Sequence, residues 1–172
     1  MSALLTRRTL SALSLAIAAA RGGHAANLLS PPSGKVILTV SGRIDVTNKG
    51  GSAEFDYAML EALGMDSIET TTPWYDGVVR FDGVPLLRLW QAVGASGERL
   101  TAVALNDYTT EIPVTDIRRH GVLLAMKRNG SIMPVSDKGP LFIVYPYDSK
   151  PELKSQKYFS RSAWQVASLE VG

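Results

Sequence analysis

Cysteine is missing altogether, which removes disulfides, thiolate metal ligands, covalent haem attachment and a cysteine nucleophile at once. Histidine is nearly as scarce. Only His24 and His120 occur, and His24 falls close to the N-terminus, so a serine-type triad or a histidine metal centre would rest on one imidazole. Carboxylates are present but scattered, none of them set in the apolar surroundings that raise a pKa for acid–base work. There is no low-complexity tract and no repeat of solenoid period. The apolar run from Leu10 to Ala20 is too short for a bilayer-spanning helix, which takes about 20 residues.

That run reads instead as part of an address. Thr6-Arg7-Arg8-Thr9-Leu10 precedes it, and the small residues around Gly23-His24-Ala25 follow. A basic start, a short apolar centre and a small-residue cleavage region make an export signal. The paired arginines resemble the twin-arginine type, with Leu10 where phenylalanine is usual. The expected organisation is a cleavable signal peptide over residues 1–25 and one domain over 26–172, located in the periplasm. The formal charge of the whole chain is +2, but the signal holds Arg7, Arg8 and Arg21 and no acid, so the domain carries 15 basic and 16 acidic residues. The case for a nucleic-acid partner disappears with the signal.

Along the domain, β-branched content predicts a strand over 36–40. Phe55, Met59, Ala62 and Leu63 recur at helical spacing, with Asp56 as N-cap and Gly64 as stop. Strands are expected over 67–74 and 78–81, with a turn at Asp82-Gly83. Pro85 opens the clearest helix, whose stripe is Leu86, Leu89, Trp90 and Val93. Two paired strands, 100–105 and 108–112, flank Asn106-Asp107, and a single helical turn is expected over 115–119. Val122 to Met126 reads as a buried strand, with Asn129-Gly130 as a hairpin turn answered by 132–135. The last strand is expected over 163–171. Short helices dispersed among many strands predict an α+β domain, β-rich, as a mixed sheet or barrel.

The stretch Gly139 to Gln165 organises the rest. A solid apolar strand, Leu141 to Tyr145, is ended by Pro146, which cannot donate to a ladder. A polar loop follows with Asp148, Lys150, Glu152, Lys154, Ser155 and Lys157, before Tyr158, Phe159 and Trp164 return the chain to the interior. Such a loop on a rigid frame suits a binding site, and it equally suits a solvated surface. Trp74 stands at a strand end after Pro73, where an aromatic can stack on a flat ring or cap the core. Asp107 offers two oxygens to a pair of parallel N–H donors, or is simple turn chemistry. Ser155 and Lys157 can engage a phosphate or carbonyl, or belong to a solvated charge run. Trp90 and Trp164 are assigned to the core, and His120 to the C-terminal end of a helix.

Taken in order, Trp74, Gly83-Val84-Pro85-Leu86-Leu87, Ala104-Leu105-Asn106-Asp107-Tyr108, Lys138-Gly139-Pro140-Leu141, Tyr145-Pro146 and Lys154-Ser155-x-Lys157 resemble the molybdopterin-binding domain of the sulfite oxidase-like oxidoreductases. The resemblance covers nearly the whole domain. The run Lys138 to Pro146 with Tyr158-x-Ser160-Arg161-Ser162-Ala163-Trp164-Gln165 is similar to a group of small, exported, stand-alone members. Enzymes of the family hold molybdenum through a cysteine just before the position of Trp74. Here that segment reads Glu69-Thr70-Thr71-Thr72-Pro73-Trp74, and a threonine hydroxyl is no substitute for a soft thiolate. Phe142 stands where the enzymes often carry arginine.

The resemblance therefore implies a sulfite oxidase-like fold that binds a pterin, with molybdopterin among the candidates and with no metal and no catalysis expected. It further implies a reporting role toward the periplasmic domain of a membrane-bound cyclic-di-GMP enzyme. A molybdopterin-dependent oxidoreductase, or a subunit of one, is the alternative. The implied pterin contacts are Trp74 stacking on the ring, Asp107 at its amino-imino edge, and Tyr108, Ser155 and Lys157 along the remainder.

Overall fold

The computed structural model describes residues 29–172; the segment read as an export signal lies outside the described residues. Ten strands form two open sheets. The first contains β1 (Leu38–Gly42), β2 (Ala53–Phe55), β5 (Arg99–Ala104), β6 (Thr109–Pro113) and β10 (Val166–Val171), in the order β2-β1-β10-β5-β6. Its β1–β10 pair is parallel and its other pairs are antiparallel. The second contains β3 (Asp66–Thr72), β4 (Tyr75–Pro85), β7 (Leu123–Arg128), β8 (Ser131–Ile132) and β9 (Phe142–Val144). Here β4 lies between β3 and β7, while β8 and β9 share the other edge of β7. Neither sheet closes on itself, so of the two expected forms the mixed sheet is present and the barrel is not.

Alternation dictates which faces meet. In β5, Leu100, Ala102 and Ala104 point inward while Arg99, Thr101 and Val103 point out. β7 and β9 are covered on both sides, which is why Leu123 to Met126 and Phe142 to Val144 are continuous apolar runs. The buried side chains of both sheets belong to one core.

Four short helices close its ends: α1 (Tyr57–Ala62), α2 (Leu86–Ala92), α3 (Val114–Arg119) and α4 (Gln156–Arg161). Asp56 caps α1 as expected, accepting from Met59 N at 2.9 Å. Its carboxyl also accepts from Ser33 N and Gly34 N, and these backbone N–H groups, Met59 foremost, hold its pKa below the ordinary carboxylate value. The α2 stripe of Leu86, Leu89, Trp90 and Val93 is buried against Val40, Leu100 and Leu169 of the first sheet.

Several expectations need correction. Asp82-Gly83 is not a turn: β4 runs straight through it for 11 residues with only a register shift. The glycine is there because a Cβ at Gly83 would come within 2.1 Å of Leu124 O, so its service is close approach of two strands and not a bend. Phe55 belongs to β2 and not to the first helix. The stretch 146–157 was expected to be irregular; it forms two 3-10 turns, Tyr147–Ser149 and Pro151–Leu153, and then enters α4, which periodicity did not reveal. The last strand starts at Val166, later than expected, because residues 163–165 run alongside 138–143 instead. Gln165 N donates to Lys138 O, Ile143 N to Ala163 O and Val166 N to Leu141 O, joining the two sheets at one corner.

Candidate functional site

That corner holds a cleft of about 350 Å³. Three pieces of chain supply its walls. The tight turn between β3 and β4 gives Pro73 and Trp74, the turn between β5 and β6 gives Asn106 and Tyr108, and α4 gives Gln156, Phe159 and Ser160. Ser162, Ala163 and Trp164, on the connection into β10, complete it.

Trp74 is placed by its turn. Thr72 Oγ1 accepts from Trp74 N at 3.3 Å and from Tyr75 N at 3.2 Å, so the chain reverses on a side chain two residues before the indole. The indole is half-buried and meets four aromatic neighbours edge-on. Ring centroids lie 5.4 Å away for Phe142, 5.5 Å for Trp164, 6.0 Å for Phe159 and 6.2 Å for Tyr147. Such T-shaped pairs hold a ring in one orientation, since each edge faces a negative π face. Trp74 thus packs on the core and lines the cleft together. Trp164, assigned to the core from sequence, is likewise only half-buried and forms a cleft wall. Lys138 Nζ sits 4.9 Å from its ring centroid.

The hairpin of Thr70 to Tyr75 is clamped from outside the cleft. Asp148 accepts from Thr71 N at 2.6 Å and Thr71 Oγ1 at 2.7 Å, and its own N donates to Thr70 Oγ1 at 3.0 Å. Lys154 Nζ lies 2.5 Å from the same carboxylate. Lys154, followed by the two bonds from Thr71, lowers the Asp148 pKa to about 2. One loop residue thereby fixes the strand end on which Trp74 is mounted.

Tyr108 reaches across the cleft, its hydroxyl donating to Ser160 O of α4 at 2.7 Å. Asn106 Oδ1 accepts from Tyr108 N at 3.2 Å, the Asx arrangement expected of a tight turn. Between them Asp107 adopts φ 64°, a left-handed conformation that Asp tolerates better than most residues. Its side chain is exposed, makes no hydrogen bond among the described residues and is not among those lining the cleft. Ser155 is the N-cap of α4, and its hydroxyl donates to Glu152 O at 3.1 Å. Lys157 is exposed, with Nζ 5.1 Å from the Tyr158 ring centroid. Of the five expected contacts, the fold brings Trp74 and Tyr108 together in the cleft. It places Asp107 one residue off the lining, and Ser155 and Lys157 outside it, to either side of Gln156.

Behind α4 lies a polar cluster that sequence reasoning missed. Asp116 is buried, and one of its oxygens accepts from Tyr145 Oη at 2.9 Å and from Arg161 Nη1 at 2.6 Å. Tyr147 Oη meets Ser162 Oγ at 2.5 Å, and Ser162 Oγ donates to Tyr158 O at 2.8 Å. Burial pushes both phenols far above their ordinary pKa, so they remain neutral donors. These bonds tie α4 to α3 and to the segment that follows β9, and so fix the wall that carries Gln156, Phe159 and Ser160.

Acidic and basic side chains are absent from the lining. Its surface is aromatic faces with two carboxamides, hydroxyls and backbone. Among the described residues there is also no cluster of three His, Asp or Glu side chains that would suit a metal ion. The three threonines where the resembling enzymes carry their metal ligand are committed elsewhere: Thr70 and Thr71 to Asp148, and Thr72 to the turn. No protein-family model matches the chain, and no curated protein matches it significantly.

Proposed function

We propose that this chain is an exported, non-catalytic pterin-binding protein of the sulfite oxidase-like molybdopterin-binding fold. Its occupancy is read by the periplasmic domain of a membrane-bound cyclic-di-GMP enzyme. The observation that carries the reading is the cleft: two indoles, a phenol and a phenyl ring around about 350 Å³, with neutral hydrogen-bonding groups between them. A flat bicyclic heterocycle gains stacking and edge contacts there, and its polar rim finds partners. A phosphate or a pyranopterin-bound metal finds no cation and no soft ligand in the same lining. The residues present fit the ring of a pterin and do not fit a molybdenum centre, so an unphosphorylated, metal-free pterin is the ligand favoured.

The test is direct. Purified protein is denatured, and the released material is examined for pterin fluorescence and, separately, for molybdenum. Stripped protein is then titrated with 6-hydroxymethylpterin while tryptophan emission is followed. The expected result is saturable quenching without stoichiometric metal. A molar equivalent of molybdenum would overturn the metal-free part of the reading, and absence of any quenching would overturn the pterin part.

A further inference from the structure

We infer that Asn106 and Gln156, and not a carboxylate, read the edge of the bound ring, and that the ring they select carries a lactam, a cyclic N–H–C=O edge. The inference rests on the pterin reading above and specifies which edge of the ligand the protein recognises.

The argument is an inventory of protons. Tyr108 has one hydroxyl proton and gives it to Ser160 O; Ser160 gives its own to Lys157 O at 3.0 Å, and Ser162 gives its own to Tyr158 O. Toward a ligand, the hydroxyls of Tyr108 and Ser160 therefore act only as acceptors. Asn106 Oδ1 is engaged by Tyr108 N, which leaves its Nδ2 with two protons and no partner among the described residues. Among the described residues the Gln156 side chain has no hydrogen-bond partner, so both ends of its carboxamide face the cleft open. The lining thus presents donors from Asn106, one carboxamide with a donor and an acceptor side by side from Gln156, and no charge. A carboxamide pairs with a lactam through two antiparallel hydrogen bonds, and an Nδ2 donor requires an acceptor such as a ring carbonyl. A 4-oxo ring meets both demands. A 2,4-diamino ring has an amino group where the carbonyl stood: through that group and the adjacent ring nitrogen it still pairs with the Gln156 carboxamide, but it turns a donor toward the donors of Asn106 and fails the second demand.

Asn106→Asp is the informative variant because it leaves the turn intact: a carboxylate oxygen still accepts from Tyr108 N, while the donors facing the cleft become acceptors. Gln156→Glu is comparably mild, since an acid is favourable at the first position of a helix. The two variants and Asp107→Asn are titrated with pterin, with lumazine (a second lactam ring) and with 2,4-diaminopteridine, and a thermal melt of each confirms folding. Wild type should prefer the two lactams. Asn106→Asp should lose roughly 10- to 100-fold for them and gain relative affinity for the diamino ring, and Asp107→Asn should change affinity less than about threefold. A folded Asn106→Asp variant with unchanged preference, or a large loss on Asp107→Asn alone, would overturn the inference while leaving pterin binding intact. If wild type binds neither lactam, the pterin reading falls and the inference with it.

Discussion

Trp74→Ala tests two roles on one residue, because the indole packs on the core and also lines the cleft. A fully buried aromatic truncated to alanine costs about 3–5 kcal/mol, so the half-buried Trp74 should cost about 2–3 kcal/mol. Four edge contacts disappear together, with Phe142, Tyr147, Phe159 and Trp164, and the cleft opens into the space left behind. For a domain of this size that is a fall in Tm of roughly 4–12 °C. Pterin affinity should fall by about 1–3 kcal/mol, or roughly 5- to 150-fold, from lost stacking. Trp74→Phe keeps a flat ring in place and should recover most of the stability but less of the affinity. Ligand-free melts and fluorescence titrations on the two variants decide the matter. A Tm within a degree of wild type would refute the packing argument, and unchanged affinity in a folded Trp74→Ala protein would refute the platform.

Three further outcomes follow from contacts already described. Asp148 has its folded pKa depressed to about 2 against an ordinary value near 3.9, so it stabilises the fold above about pH 4 and loses that contribution as pH falls toward 2. In Asp148→Asn, acid unfolding followed by tryptophan emission should show less dependence on pH across that interval, and an unchanged profile would count against the clamp. Arg161→Ala leaves the buried Asp116 carboxylate with Tyr145 alone and should destabilise by about 3 kcal/mol, visible in urea melts; Arg161→Ala combined with Asp116→Asn should recover part of the loss. Finally, the mature protein recovered from cells should begin near residue 26, and replacing Arg7 and Arg8 together by lysine should block export if the twin-arginine route is used.

Much of the fold was legible because its signals are local. The α1 cap at Asp56, the α2 stripe after Pro85, and the turn between β5 and β6 are each written in adjacent residues. What was not legible depends on partners far away. Gly83 reads as a turn residue until Leu124 is known to lie against it. With only six residues, α4 is too short to show a period, and its bonds run to Asp116 and to Tyr147. The site followed the same rule. Trp74 and Tyr108 stand out as aromatics at turns, whereas Asn106 and Gln156 are ordinary polar residues until the corner of the sheets brings them together. The choice between Asp107 and Asn106 is one residue of turn geometry, which a sequence does not resolve.

The parallel pairing of β1 with β10 has a kinetic side. β10 is the middle strand of the first sheet, and its neighbours β1 and β5 are distant from it along the chain. The second sheet grows from neighbours, β3 with β4 and β7 with β8, whose loops close at little entropic cost. The centre of the first sheet instead joins strands whose pairing closes the longest loops in the fold. The cleft draws one wall from the β3–β4 turn, another from the β5–β6 turn and a third from the segment that leads into β10. It is therefore complete only when all three segments are in place. A ligand that binds there meets only finished molecules, and its binding energy deepens the native well without guiding the route into it.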